Sequence, residues 1–194
     1  MVQDVTQAKQ NMAAALVDIS RWSASHRLKL NPDKAEVIWL GTQQQLAKLS
    51  PADKTLQLHD STLTASTTVR NLGVQLDSEL NFDDQARCCV KACYHRCRIL
   101  QIRRHVDNDC LRSLIHAFIT SRLDYCNSLY ARCNASVLQR LQHVQNCAAR
   151  YILNAPPRSP SLPLLHHLHW LPIESRIWYK LCSLMYRVNH NTAP

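Results

Sequence analysis

The chain has 194 residues, of which 46% are hydrophobic and 19% are charged, a composition typical of a globular protein with a buried core. No stretch approaches the roughly 20 apolar residues that a membrane-spanning helix needs. Residues 1–25 interrupt their apolar positions with Gln, Asp, Lys and Asn, which excludes a secretory signal. We therefore expect an intracellular protein, nuclear or cytoplasmic, whose nine cysteines are reduced thiols.

The net charge of +9 is distributed unevenly along the chain. Residues 1–84 contain 8 Lys or Arg and 10 Asp or Glu, whereas residues 85–194 contain 15 and 4. All nine cysteines also lie in the second part, so two shifts in composition indicate a domain boundary near Asp84. The basic excess favours binding to phosphate polyanions, with an ordinary basic surface as the alternative.

Before this boundary the sequence predicts one long helix and a small antiparallel sheet. The helix is indicated by apolar residues at intervals of three and four: Val5, Ala8, Met12, Leu16, Ile19 and Trp22. After Asn31-Pro32, the apolar run 35–40 predicts a mostly buried strand. Short alternating segments between Leu56 and Leu76 predict the strands of the sheet.

Beyond Asp83 glycine is absent and the pattern becomes helical. Four helices are predicted, at about 84–105 and 108–130, then one ended by Pro156-Pro157 and one opened by Pro172. The expected inward positions of the second helix are Leu111, Leu114, Ile115, Phe118 and Ile119. Those of the third are Val137, Leu141, Val144, Ala148 and Ile152. Those of the fourth are Ile173, Ile177, Leu181, Leu184 and Val188. The predicted fold class is therefore α+β.

The first of these helices places cations over an apolar stripe. The cationic face is formed by Arg87, Lys91, His95 and Arg98. The apolar face is formed by Cys89, Cys93, Cys97 and Leu100. Three cysteines at four-residue intervals are typical of core packing, and a zinc site is the weaker alternative because structural zinc usually takes closely spaced pairs from turns.

Four segments resemble reverse transcriptases of LINE-type, non-LTR retrotransposons, especially Jockey-like elements. Residues 28–37, with the wording Leu-Lys-Leu-Asn-Pro-Asp-Lys-Ala-Glu-Val, resemble motif D of the polymerase palm. Residues 69–76, Val-Arg-Asn-Leu-Gly-Val-Gln-Leu, resemble motif E, the primer-grip hairpin. Residues 121–129 and 168–172 resemble signatures of the thumb region and beyond. The four segments follow the order of the family.

This resemblance implies a division into three parts. Residues 1–84 correspond to the C-terminal part of the palm, residues 85–155 to a basic helical thumb-like region, and residues 156–194 to a proline-rich connection and C-terminal helix. The implied activity is RNA-directed DNA synthesis, and the implied partner is the backbone of RNA or of an RNA–DNA duplex. A protein covering the exposed palm face is a further implied partner.

The resemblance also implies that this chain is inactive alone. In the family the metal-binding aspartates lie upstream of motif D, so no catalytic residue is expected here. Two magnesium ions held by those carboxylates supply the main catalytic effect, and magnesium is expected only for the complete polymerase. Asp83-Asp84 follows the primer-grip segment and is interpreted instead as the N-cap of a helix.

The nucleic-acid-binding residues implied by the family fall into two groups. The palm group consists of Lys34, Arg70, Leu72 and Gly73. The thumb group consists of Arg87, Lys91, Arg98, Arg103 and Arg104, which would track phosphates without reading sequence. The alternatives are a solvated turn lysine, a structural hairpin glycine and a solvated helix face.

Two further expectations remain open. The histidines at 166, 167 and 169, near Trp170, are interleaved with leucines, which predicts that they are partly buried, with metal ligands or base stacking as the alternatives. The alternative function is a non-enzymatic helical interaction protein, or an inert translated remnant of a transposable element.

Overall fold

A computed structural model describes residues 2–58, 61–97 and 105–193. The chain forms two compact units, Met1–Leu80 and Asn81–Pro194. It is a mixed structure of helices and two small antiparallel sheets, so the predicted α+β class is confirmed.

The first unit contains helices followed by two β-ladders. Its helical elements are α1 (Val2–Ser25), a 3₁₀ turn (Pro32–Lys34) and α2 (Gln43–Leu46). Its strands are β1 (Thr55–Leu58), β2 (Ser61–Thr64), β3 (Thr68–Asn71) and β4 (Val74–Asp77). β1 pairs antiparallel with β2, and β3 pairs antiparallel with β4.

The core of the first unit is small because each ladder has only two short strands. The buried apolar side chains among its described residues are Leu56, Val69 and Val74. α1 contacts β1, and the first part of its predicted inward face is half-buried. Ile19 and Trp22 are exposed, so the prediction is wrong there. The short sheet covers α1 over only part of its length.

The predicted strand at 35–40 is also wrong. This run makes a single parallel bridge, Ile38 to Ser66, supported by the Ser66 amide, which donates to the Val37 carbonyl at 2.8 Å. The run therefore meets the short connection between β2 and β3 and does not pair along a strand. Trp39 is instead held by its indole N–H, which donates to the Asp53 carbonyl at 3.2 Å.

The second unit is helical over its described residues. Its first elements are α3 (Asp83–Cys97), α4 (Asn108–Ile115), a π-helical turn (His116–Thr120) and α5 (Ser121–Asp124). A 3₁₀ helix (Asn127–Arg132), α6 (Ala135–Ile152), α7 (Ser161–His167) and α8 (Ile173–Asn189) follow.

α6 lies at the centre of the core of the second unit. All five predicted inward residues of this helix are buried, as its periodicity predicts. α3, α4 and α8 all pack against it. A polar clasp joins α6 to the start of α8, because the buried Gln145 amide donates to the Leu171 carbonyl at 2.9 Å and Gln142 accepts from the Ile173 amide at 2.8 Å.

The predicted helix at 108–130 is interrupted. The Ser121 amide bonds to the His116 carbonyl, which widens the helix to a π turn, and the α-helix ends at Asp124. The buried positions Leu111, Ile115 and Ile119 continue to Leu123 at intervals of four. In a regular α-helix, residues four apart are rotated by about 40° around the helix axis. The wider π turn offsets part of this rotation.

α8 is buried only near its N-terminus. Ile173 and Ile177 are buried as predicted, Leu181 is half-buried, and the predicted burial of Leu184 and Val188 is wrong. The partners of α8 are the 3₁₀ helix and α6, and they cover its first turns. No helix among the described residues is long and apolar enough to cross a membrane.

Candidate nucleic-acid interface

The hairpin formed by β3 and β4 spans the motif E-like segment. Arg70 is in register with Gln75, and Asn71 with Val74, so Leu72 and Gly73 form a two-residue turn. Both have positive φ, 47° and 84°, which is the geometry of a type I′ turn. Gly73 adopts this conformation without strain, whereas Leu72 does not. The turn alone therefore accounts for Gly73.

Leu72 lies at the tip of the hairpin. It is 85% exposed, the highest exposed fraction among the described large apolar residues. The hairpin turn imposes the positive φ of Leu72, and its apolar side chain is exposed at the tip. Strained backbone positions cluster at ligand contacts, so Leu72 is a contact candidate of the hairpin.

Arg70 and Lys34 are exposed on the first unit. The Arg70 amide donates to the Glu36 carboxylate at 3.3 Å, so a negative charge lies beside β3, close to the turn of the hairpin. Lys34 ends the 3₁₀ turn, where its amide donates to the Asn31 carbonyl at 3.2 Å. Its position fits the alternative to nucleic-acid binding, a solvated lysine in a turn.

The cationic row of α3 is exposed as far as it is described. Arg87, Lys91 and His95 are exposed at four-residue intervals, while Cys89 and Cys93 are buried on another face. Arg87 forms an ion pair with Asp84 at 3.1 Å, which reduces its positive potential. Lys91 has no carboxylate partner among the described residues, so it is the stronger phosphate candidate of the two. Arg98, Arg103 and Arg104 lie outside the described residues.

Asp83 and Asp84 form the first turn of α3, so their interpretation as an N-cap is wrong. Phe82 precedes the helix with φ of 58°, and its carbonyl accepts from the Ala86 amide at 2.9 Å. Asp83 forms an ion pair with Arg140 of α6. Both carboxylates therefore lie at the positive end of the helix dipole, and Asp83 joins α3 to α6.

Cys89 and Cys93 pack in the core of the second unit. The Cys89 thiol donates to the Arg122 carbonyl at 3.6 Å. Its pKa is lowered chiefly by a hydrogen bond with Cys93, against the effect of burial. Across the described parts of the chain, no three His, Cys, Asp or Glu side chains are grouped so as to hold a metal ion.

The histidines at 166, 167 and 169 are exposed, so the prediction of partial burial is wrong. α7 is only seven residues long, and Leu165 is the residue that it buries. His169 has φ of 55° and turns the chain after the helix. Leu165 is buried and Leu164 and Leu168 are half-buried, whereas the three histidines are exposed to solvent.

The solvent side of α8 carries a group of residues that the sequence reasoning missed. Tyr179 and Tyr186 are 68% and 62% exposed, and Lys180 and Arg187 are exposed beside them. The sequence signals this group by two tyrosines and two cations, each pair at a spacing of seven. The prediction for α8 concerned its apolar face alone.

Comparisons with protein-family models, with curated proteins and with solved structures find no match to this chain. The family assignment rests on the four sequence segments and stays a prediction.

Proposed function

We propose that the chain is the palm end and thumb of a non-LTR retrotransposon reverse transcriptase, retaining the ability to bind RNA or RNA–DNA duplex but unable to catalyse polymerisation alone. The observation that carries the proposal is the tight hairpin at Thr68–Asp77. The whole motif E-like segment lies within its two strands and turn, as the primer-grip role requires.

The hairpin supports backbone contact rather than recognition of bases. It offers an exposed guanidinium at Arg70 and an exposed apolar tip at Leu72. A single exposed cation gives weak phosphate attraction. The hairpin therefore positions an end of a strand, and its contribution to affinity comes from the apolar tip more than from charge.

The exposed row on α3 supports binding to phosphates. The second unit contains 15 Lys or Arg and 6 Asp or Glu, whereas the first unit contains 8 of each. The whole net charge of the chain therefore belongs to the second unit. Each phosphate that a cation contacts releases condensed counterions, so the affinity should fall steeply with salt.

Catalysis is not part of the proposal. The sequence contains no aromatic-Ala-Asp-Asp turn. Asp83 and Asp84 are engaged by Arg140 and Arg87 at the start of α3, so they do not replace the family's metal ligands. Magnesium-dependent nucleotide addition would need carboxylates from elsewhere.

The test is binding of a labelled RNA–DNA duplex across a salt series. Lys91→Gln should lower the slope of log affinity against log salt by about 0.9, because one phosphate contact is lost. Lys48→Gln removes an exposed lysine from the first unit and is the matched control. A folded protein that does not bind duplex, or binds it without salt dependence, would favour an inert remnant or a protein-interaction module.

A further inference from the structure

The outward side of α8 has two chemically distinct sectors. One sector is apolar and contains Trp178, Cys182 and Met185, all exposed. The other contains aromatic and cationic residues at helical spacing: Tyr179, Lys180, Ser183, Tyr186, Arg187 and His190. At 100° per residue these six positions lie within about one third of the helix circumference.

The aromatic–cationic sector contains no carboxylate. The acidic residue of α8 is Glu174, in the first turn of the helix. Tyr179 and Tyr186 are separated by seven residues, and so are Lys180 and Arg187, so each pair is about 10 Å apart along the axis. Two aromatic rings and two cations thus run in parallel rows.

The ring at the end of the sector is already part of a stack. Tyr186 and His190 have centroids 4.0 Å apart and planes inclined by 23°. The His190 ring is fixed by contact of its Nδ1 with the Tyr186 carbonyl at 2.9 Å. Tyr186 remains 62% exposed, which leaves area for a further flat ring.

Charge excludes a second copy of the chain as the best occupant. Two α8 helices packed through this sector would bring Lys180 and Arg187 against the same cations. The sector itself has no carboxylate to offset them, and Asp124, the carboxylate that Lys180 attracts, is already paired with Arg176 at 3.2 Å. An occupant must therefore be anionic and must carry flat rings or apolar groups. An unpaired nucleic-acid strand has both, with phosphates for the cations and bases for the tyrosines.

We propose that this sector of α8 is a stacking site for an unpaired nucleic-acid strand, without sequence preference. The tyrosines stack on bases, and Lys180 and Arg187 attract the flanking phosphates. The site is separate from the cationic row of α3 and does not depend on the polymerase ancestry proposed above. It gives the second unit a surface for single strands in addition to one for duplex.

The test is fluorescence anisotropy of a labelled 12-nucleotide oligothymidine with the full chain. Tyr179→Leu/Tyr186→Leu should weaken binding at least fivefold, because loss of base stacking reduces affinity substantially at each position. Tyr179→Phe/Tyr186→Phe keeps the rings and should bind as the unchanged protein does. Lys180→Gln should lower the salt slope by about 0.7.

Trp178→Leu is the control within the same helix, because it changes the apolar sector only. Circular dichroism checks that each variant is folded. We expect that they are, because none of them changes Ile173 or Ile177 on the packed side of α8. Equal binding by the leucine and phenylalanine variants would overturn the proposal. So would dimerisation that the leucine variant abolishes, or stronger competition by an acidic helical peptide than by unlabelled oligothymidine. A lower salt slope of duplex binding in the Lys91→Gln variant, with oligothymidine binding unchanged, would separate the two sites.

Discussion

The two units differ in how they combine core and charge. The described residues of the first unit bury three apolar side chains, whereas those of the second bury eighteen. The first unit has as many acidic as basic residues, and the second carries the entire positive charge. A large core tolerates the self-repulsion of a basic surface. We therefore expect the second unit to be the stable one and the first to unfold at lower denaturant concentration.

The largest expected effect in this comparison comes from truncation of one core leucine in each unit. Leu141→Ala, in the centre of α6, should reduce the free energy of unfolding of the second unit by about 2–5 kcal/mol. Leu56→Ala should cost less than about 2 kcal/mol because the small sheet relaxes more easily. Urea unfolding followed by amide exchange in each unit measures both. Equal losses would contradict the difference in packing.

The polar clasp of the second unit sharpens the comparison. Gln145 is 1% exposed and bonds the Leu171 carbonyl, and its own side-chain oxygen accepts from Gln142 at 2.8 Å. Gln145→Ala removes the donor to the Leu171 carbonyl and one of the two acceptors of the Gln142 amide, which keeps Asn146. This change should reduce the free energy of unfolding by about 1–3 kcal/mol. Gln139→Ala, on the exposed side of α6, is the control and should change it by less than about 0.5 kcal/mol.

One substitution in the hairpin of the first unit should raise stability, in contrast to the core substitutions, which lower it. Leu72→Asn relieves the strain of a positive φ and should stabilise the first unit by about 0.5–1 kcal/mol. Gly73→Ala should destabilise it by about 1 kcal/mol or more, because φ is 84°. Thermal unfolding measures both signs.

If Leu72 contacts nucleic acid as proposed, Leu72→Asn should weaken duplex binding while it raises stability. Unchanged binding would count against the hairpin's role.

The smallest expected effect concerns the carboxyl of Asp124, which lies 3.2 Å from the Arg176 guanidinium. Burial raises the pKa of Asp124 above 3.8, and Arg176 opposes this shift. The folded state then holds the proton more tightly than the unfolded state, so stability should fall as pH rises from about 4 through the folded pKa. Asp124→Asn should remove that slope in urea midpoints.

Carbon-detected NMR gives an independent reading of the same carboxyl. Arg176→Gln should raise the pKa of Asp124 further, because the opposing positive charge is lost. A titration midpoint below 3.8 in the unchanged protein would show that the ion pair outweighs burial.

Sequence patterns predicted burial correctly in the element that has packing neighbours along its whole length. α6 has a continuous apolar stripe and neighbours along its length, so all five of its predicted positions are buried. The run at 35–40 and the end of α8 were assigned from the same kind of pattern. Both predictions are wrong because an apolar run or face in the sequence does not show how much of its length other elements cover.

The candidate site was predictable in outline only. The spacing of Arg87 and Lys91 predicted their shared exposed row, but not the Asp84 partner of Arg87. The wording around Leu72-Gly73 indicated a hairpin, whereas the positive φ of a leucine is a backbone property that no side-chain pattern reveals. The pairing of Asp83 with Arg140 joins residues 57 positions apart, which lies beyond any local rule.

The π turn at His116–Thr120 has a consequence for descent. A turn closed by a bond across five residues contains one residue more than the α-helical turn it replaces, and such a turn is what a one-residue insertion into a helix produces. Related chains without the insertion should therefore show a single-residue gap at 116–120 when aligned. They should still bury the counterparts of Leu111, Ile115 and Leu123, because the insertion bulges the helix without displacing its ends.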